Sequence, residues 1–141
     1  MRRFLAPLAV ILSLAAATAA QTQDTPADPH ASGIQAVISA QIAALQADDF
    51  DTAFTFASPG IRRIFGSAER FGDMVRQGYP MVYRPGSVRF LEVTQRGNAL
   101  VQRVLVTDAD GRLHVLEYEM QGTEGGFVIN GVRLVPGQVG A

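Results

Sequence analysis

The sequence predicts an α+β domain in which N-terminal helices pack on a four-stranded antiparallel sheet, and three observations carry that prediction. Apolar residues between Ile34 and Val75 recur at helical spacing, and from Ser87 onward the period falls to two. The segments joining the later runs are short and rich in Gly, Asp and Asn, which forces antiparallel neighbours. Helices first and strands afterwards is the order of an α+β domain, with no internal repeat.

The helical part opens at Ser32, where Ser32-x-x-Gln35 fits a capping box. Ile34, Val37, Ile38, Ile42 and Leu45 form one apolar stripe, which Asp48-Asp49 interrupts; carboxylates favour the start of a new helix through capping and the helix dipole. Phe50, Ala53, Phe54 and Ala57 mark that second helix. Ser58-Pro59 restarts a short one, since proline's missing N–H costs little in a first turn, and Gly66 ends it. Ser67 opens a helix containing Phe71, Met74 and Val75. Tyr79-Pro80 stops helical character, because a residue before proline is pushed towards extended backbone. Four extended runs follow over residues 87–95, 99–107, 112–121 and 126–135.

Ahead of this domain, Met1-Arg2-Arg3 is a short basic start, 4–17 is almost wholly apolar, and Ala17-Thr18-Ala19-Ala20 supplies small residues for a signal peptidase. Residues 1–20 are therefore expected to be a secretory leader, by the general rather than the twin-arginine route, and the working protein to be exported, periplasmic or secreted. Residues 21–33 carry two prolines and no periodicity, which suits a flexible lead-in with His30 as a solvated residue. The single domain is expected over 34–135, with a tail at 136–141.

Once Arg2 and Arg3 leave with the leader, ten basic residues face thirteen acidic ones, a net charge of −3 with His neutral. A mildly acidic chain without a basic run offers nothing to nucleic acid or to an anionic membrane. There is no cysteine, so disulfides, thiolate metal sites and thiol nucleophiles are excluded. There is no lysine either, which excludes Schiff-base chemistry.

Hairpin geometry ties the strand faces together. An even-length loop at 108–111 would set Val101, Arg103 and Leu105 on one face with His114, Leu116, Tyr118 and Met120, and a minimal loop at 122–126 would add Phe127, Ile129 and Arg133. This is the expected core face. The other would hold Leu100, Val104, Val106, Leu113, Val115, Val128, Val132 and Leu134, with Gln102, Glu117 and Glu119. So apolar an outer face suggests a cover, either a second copy of the chain or another protein.

The residues quoted from Asp48 to Pro59, the segments Phe71-Gly72-Asp73-Met74-Val75 and Gly78-Tyr79-Pro80-Met81-Val82-Tyr83-Arg84-Pro85, and the strands around Gln102–Val106 and Gly111–Leu116 resemble the exported bacterial domain-of-unknown-function family 4864. The resemblance spans roughly Ile34 to Leu134. It implies a cone similar to nuclear transport factor 2, with a curved sheet wrapped round a long helix. It brings no activity and no assigned catalytic residue.

On that cone, His114, Arg103, Arg133 and Tyr118 would share one cavity, and a His with a Tyr and an Arg suits a small anion or a carbonyl. The plainer reading of His114, a part-buried side chain satisfied by a carbonyl, is favoured, since no carboxylate is placed beside it. Tyr79 and Tyr83 either line the pocket mouth or fix the crossover from helix to sheet, with the second preferred. A two-residue turn at Gly97-Asn98 would set Glu92 opposite Arg103 as a cross-strand ion pair; a three-residue turn would turn it away. Asp108-Ala109-Asp110-Gly111 has the look of a calcium loop, but flanking strands make it a hairpin turn. No metal ligand set, cofactor motif or nucleophile elbow is present. The expectation is a non-catalytic module binding a small apolar or anionic ligand, or a protein. The alternative is a small isomerase- or hydratase-type enzyme using His114 with Tyr118 and Arg103.

Overall fold

The structure, a computed structural model, describes residues 28–136, so the expected leader and most of the expected lead-in and tail lie outside the described residues. Five helices precede four strands: α1 (Ala31–Gln46), α2 (Phe50–Thr55), α3 (Pro59–Phe65), α4 (Ala68–Gly78), α5 (Pro80–Tyr83), β1 (Ser87–Arg96), β2 (Ala99–Thr107), β3 (Leu113–Thr123) and β4 (Gly126–Leu134). The strands form one antiparallel meander in the order β1-β2-β3-β4, and the helices pack on a single face of it.

The predicted starts of the inner helices follow the capping chemistry. Asp49 accepts from the Thr52 N–H at 3.1 Å and the Thr52 hydroxyl at 2.7 Å, while Ser58 and Ser67 accept from Ile61 N–H and Arg70 N–H, each at 3.2 Å. Gly66 closes α3 with φ +78°, a left-handed residue that costs an L side chain energy but not glycine. Two details differ from the sequence reading. The first helix starts at Ala31 with His30 as its cap residue, so Ser32 lies inside it, and the His30 ring stands edge-on to Phe127 at 5.5 Å. Tyr79, at φ −134°, ends α4 as expected, but helical structure does not stop at Pro80. Pro80 begins one more turn, α5, because a fixed φ suits a first helical position.

The core holds the stripe Ile34, Ile38, Ile42 and Leu45 of α1 with Phe71 and Val75 of α4, set against Val104, Val106, Leu116, Tyr118, Met120 and Ile129. Leu116, Tyr118 and Ile129 thus share one core with Ile38 and Phe54, as the sequence reading requires.

Three local events decide which strand residues face that core, and two overturn the expected faces. The loop between β2 and β3 is odd, not even: Asp108 N–H donates to Arg112 O at 2.8 Å and Gly111 sits at φ +83°, leaving a three-residue turn. Val104 therefore pairs with Leu116 and Gln102 with Tyr118, while Arg103 pairs with Glu117. All of β2 is turned over relative to expectation, and Leu100, Val104 and Val106 point inward. In β4 the register slips between Glu119–Gly131 and Met120–Ile129, so Asn130 is an extra residue. That bulge turns Val132 to the core and Arg133 outward. In β1 a bulge opposite Arg103, at Leu91 and Glu92, does the same for the strand's first half.

The outer face therefore mixes charge with aliphatics: Glu92, Arg103, Glu117, Glu119 and Arg133 lie there with Val101, Leu105, Leu113, Val115 and Val128, whereas Leu100, Val104, Val106 and Val132 turn inward. The two-residue turn at Gly97-Asn98 is the one adopted, and Glu92 Oε1 lies 3.5 Å from Arg103 Nη1.

Candidate pocket between the helices and the sheet

A pocket of about 210 Å³ opens between α1, α3, α4 and the β3–β4 end of the sheet. Its walls include Gln41, Phe71, Met74, Tyr79, Tyr118 and Val132, and among the described residues no Asp, Glu, Arg or His lines it. The β4 bulge builds one side. Asn130 Oδ1 accepts from the Ser58 hydroxyl at 2.7 Å, and Ser58 N–H donates to Ile129 O at 2.8 Å while Ile129 N–H donates to Phe56 O at 2.8 Å. This bridge ties residues 56–58 to the edge of β4 and sets α3 over the opening. From there Ile61 and Phe65 face the pocket, although α3 itself contributes no fully buried residue.

Polar groups on the walls are few. Tyr79 O–H donates to Val132 O at 2.9 Å, and Gln41 Nε2 donates to Ala53 O at 3.2 Å. Tyr118, wholly buried on the sheet side, has a hydroxyl with no hydrogen-bond partner. A buried hydroxyl normally has one, because water lost without replacement costs free energy. Burial pushes the Tyr118 phenol well above its ordinary value of 10.0, so it stays protonated at any physiological pH.

Of the six residues singled out from sequence, the structure brings Tyr79 and Tyr118 together at this pocket and separates the others. Arg103 and Arg133 are on the outer face, so they do not share a cavity with His114, because the β2–β3 loop and the β4 bulge each shift the pairing by one residue. Arg133 instead joins Arg96 on Glu117, whose side chain is only 4% exposed, at 2.5 and 2.7 Å. Burial raises the Glu117 carboxyl's pKa, but the hydrogen bonds and charges of the two guanidinium groups outweigh this and hold it below its ordinary 4.5.

His114 faces inward but four residues from Tyr118 along β3, roughly 13 Å at about 3.3 Å per residue. Its Nε2 lies 2.8 Å from Asp108 Oδ2, and Asp108 Oδ1 accepts from the Asp110 and Arg112 N–H groups, each at 2.9 Å. The hydrogen bond from His114 and those from the backbone lower the Asp108 pKa. The carboxylate partner for His114 therefore exists, in the turn that had the look of a calcium loop, and it clamps that turn. Tyr83 is elsewhere too: its hydroxyl donates to Asp48, a residue at φ +56°, which also accepts from Arg84 at 3.1 Å. Arg84 stacks on the Tyr83 ring at 3.9 Å and donates to Leu45 O at 3.2 Å, so Tyr83 fixes the end of α1 to α5.

Among the described residues no cluster of three or more metal-ligating side chains occurs, and no helix is long and apolar enough to cross a membrane.

Helices on one face of a four-stranded antiparallel meander, enclosing an uncharged pocket, define the class: a small α+β domain with an internal cleft. The chain belongs to the family described as a domain of unknown function, DUF4864, whose model matches residues 27–139. No curated protein and no solved structure matches it.

Proposed function

We propose that this chain is an exported, non-catalytic binding module that holds a small, uncharged and mainly apolar molecule in the pocket between helices and sheet. One observation carries the reading: a pocket of about 210 Å³ whose lining, among the described residues, contains no ionisable acid or base other than tyrosine. Apolar pockets with a few placed polar groups are the usual form of small-ligand sites. An engineered apolar cavity of about 150 Å³ accepts benzene, so this one suits a substituted single ring or a short branched chain. The basic and apolar start of the chain supports export. The lining favours the apolar half of the sequence-based expectation over the anionic half, since an ion placed there would be desolvated without a counter-charge.

The isomerase- or hydratase-type reading has one observation in its favour, the His114–Asp108 contact. Against it, Arg103 lies on the other face, and His114 does not line the pocket that Tyr118 lines.

The test is native mass spectrometry of protein purified from its own host, alongside the variant Ile61→Trp, whose indole would block the opening from α3. A co-purifying small molecule in the wild type that is absent from a folded Ile61→Trp protein is the expected result. Equal loading of both proteins would contradict the pocket as the binding site.

A further inference from the structure

The pocket reading leaves open what chemistry the held molecule presents, and the polar groups on the walls narrow it. Tyr79 O–H donates to Val132 O. The Tyr118 hydroxyl and the Oε1 of Gln102, its cross-strand neighbour, are both unpaired, but both are closed off and offer a ligand no surface. Gln41 differs. It is 5% exposed and lines the pocket, and its Nε2 donates to Ala53 O at 3.2 Å. A carbonyl only accepts, so this contact fixes the amide nitrogen on the α2 side and turns the amide oxygen away from it. Among the described residues no donor meets Gln41 Oε1, and it is not one of the closed-off atoms.

Resting on the pocket reading above, we propose that the ligand is a neutral phenol or alcohol whose apolar body fills the pocket and whose O–H donates to Gln41 Oε1. A molecule that fills the pocket shuts this oxygen off from water, so it must bring a donor of its own or leave an amide acceptor unpaired. A hydrocarbon fits but brings no donor. A carboxylate brings only acceptors, and among the described residues no Arg or His lines the pocket to offset its charge. Gln41 is then the residue that selects among molecules of similar shape, since a buried polar group left unpaired discriminates more strongly than a small difference in apolar contact.

The experiment titrates three probes into the protein beginning at residue 21 and into its Gln41→Met variant by NMR: p-cresol, a donor; p-xylene, which has a methyl in place of the hydroxyl; and p-tolualdehyde, an acceptor without a donor. Met matches Gln in length, and Ala53 O keeps the Phe56 N–H at 3.3 Å, so the variant should fold, which its spectrum without probe verifies. Binding of p-cresol should weaken about five- to tenfold in Gln41→Met, the worth of one hydrogen bond. The other two probes should bind unchanged or tighter. In wild type the Gln41 side-chain amide resonances should shift more with p-cresol than with p-xylene, a readout that needs no variant. If p-cresol binds both proteins equally, if all probes weaken alike, or if p-tolualdehyde is the one that weakens, the assignment to Gln41 is overturned while the pocket stands. If no probe binds folded wild type, the pocket reading itself fails, and the inference with it.

Discussion

Glu117 and Tyr118 are adjacent in sequence, buried to a similar degree and opposite in chemistry. Glu117 lies on the outer face, where two guanidinium groups meet its carboxylate; Tyr118 lies on the inner face, where nothing meets its hydroxyl. The outer face buries a charge and pairs it fully. The inner face buries a neutral polar group and leaves it unpaired. The side-chain oxygen of Gln102, opposite Tyr118 on β2, is also without a partner, so the inner face leaves a donor and an acceptor open on neighbouring strands.

Three consecutive residues of β3 sharpen that comparison. Leu116 is fully buried in the core, and Leu116→Ala should lower unfolding free energy by about 2–5 kcal/mol in chemical denaturation, through lost transfer energy and the cavity left behind. Glu117→Gln should cost less, of the order of 1–2 kcal/mol, because Arg96 and Arg133 are more than half exposed and rehydrate readily. Its signature is in the pH dependence. The folded-state pKa of Glu117 is depressed, so its contribution is fully present above the ordinary value of 4.5 and is lost as pH falls through the lower folded value. Wild type should therefore lose stability on acidification more steeply than Glu117→Gln, and parallel pH profiles would break the account of the outer face. Tyr118→Phe should have the smallest effect on the ligand-free protein, between neutral and about 1 kcal/mol stabilising, since it removes a desolvated hydroxyl that has no bond to lose. A clear destabilisation would mean that the hydroxyl is satisfied after all.

The order and extent of the strands were legible because alternation and turn residues agree: the second run, 99–107, coincides with β2, the first and last differ by one residue at an end, and the third differs by one residue at its start and two at its end. The faces were not legible. Side chains alternate with period two, so one residue gained in a turn or a bulge moves every following side chain across the sheet. This is what happened to Arg103 at the β2–β3 loop and to Arg133 at Asn130. The loop carried a readable signal, since Gly111 four residues into an Asp-Ala-Asp-Gly turn suits the left-handed position of a three-residue connection. The Asn130 bulge carried none, because it is held by Ser58, a residue distant in sequence. Tyr118 was recognised because it stays on the inner face in either register of β2. The pocket's remaining walls, on α3 and α4, became visible only once the bulge had fixed where α3 sits.

The central claim is an accessible apolar pocket on the inner face, and a crystal of the protein beginning at residue 21, pressurised with xenon, measures it directly, because xenon enters dry apolar cavities. The account predicts an anomalous peak bounded by Phe71, Met74, Tyr79 and Val132. A map with no xenon there, and those four side chains closed on one another, would contradict it.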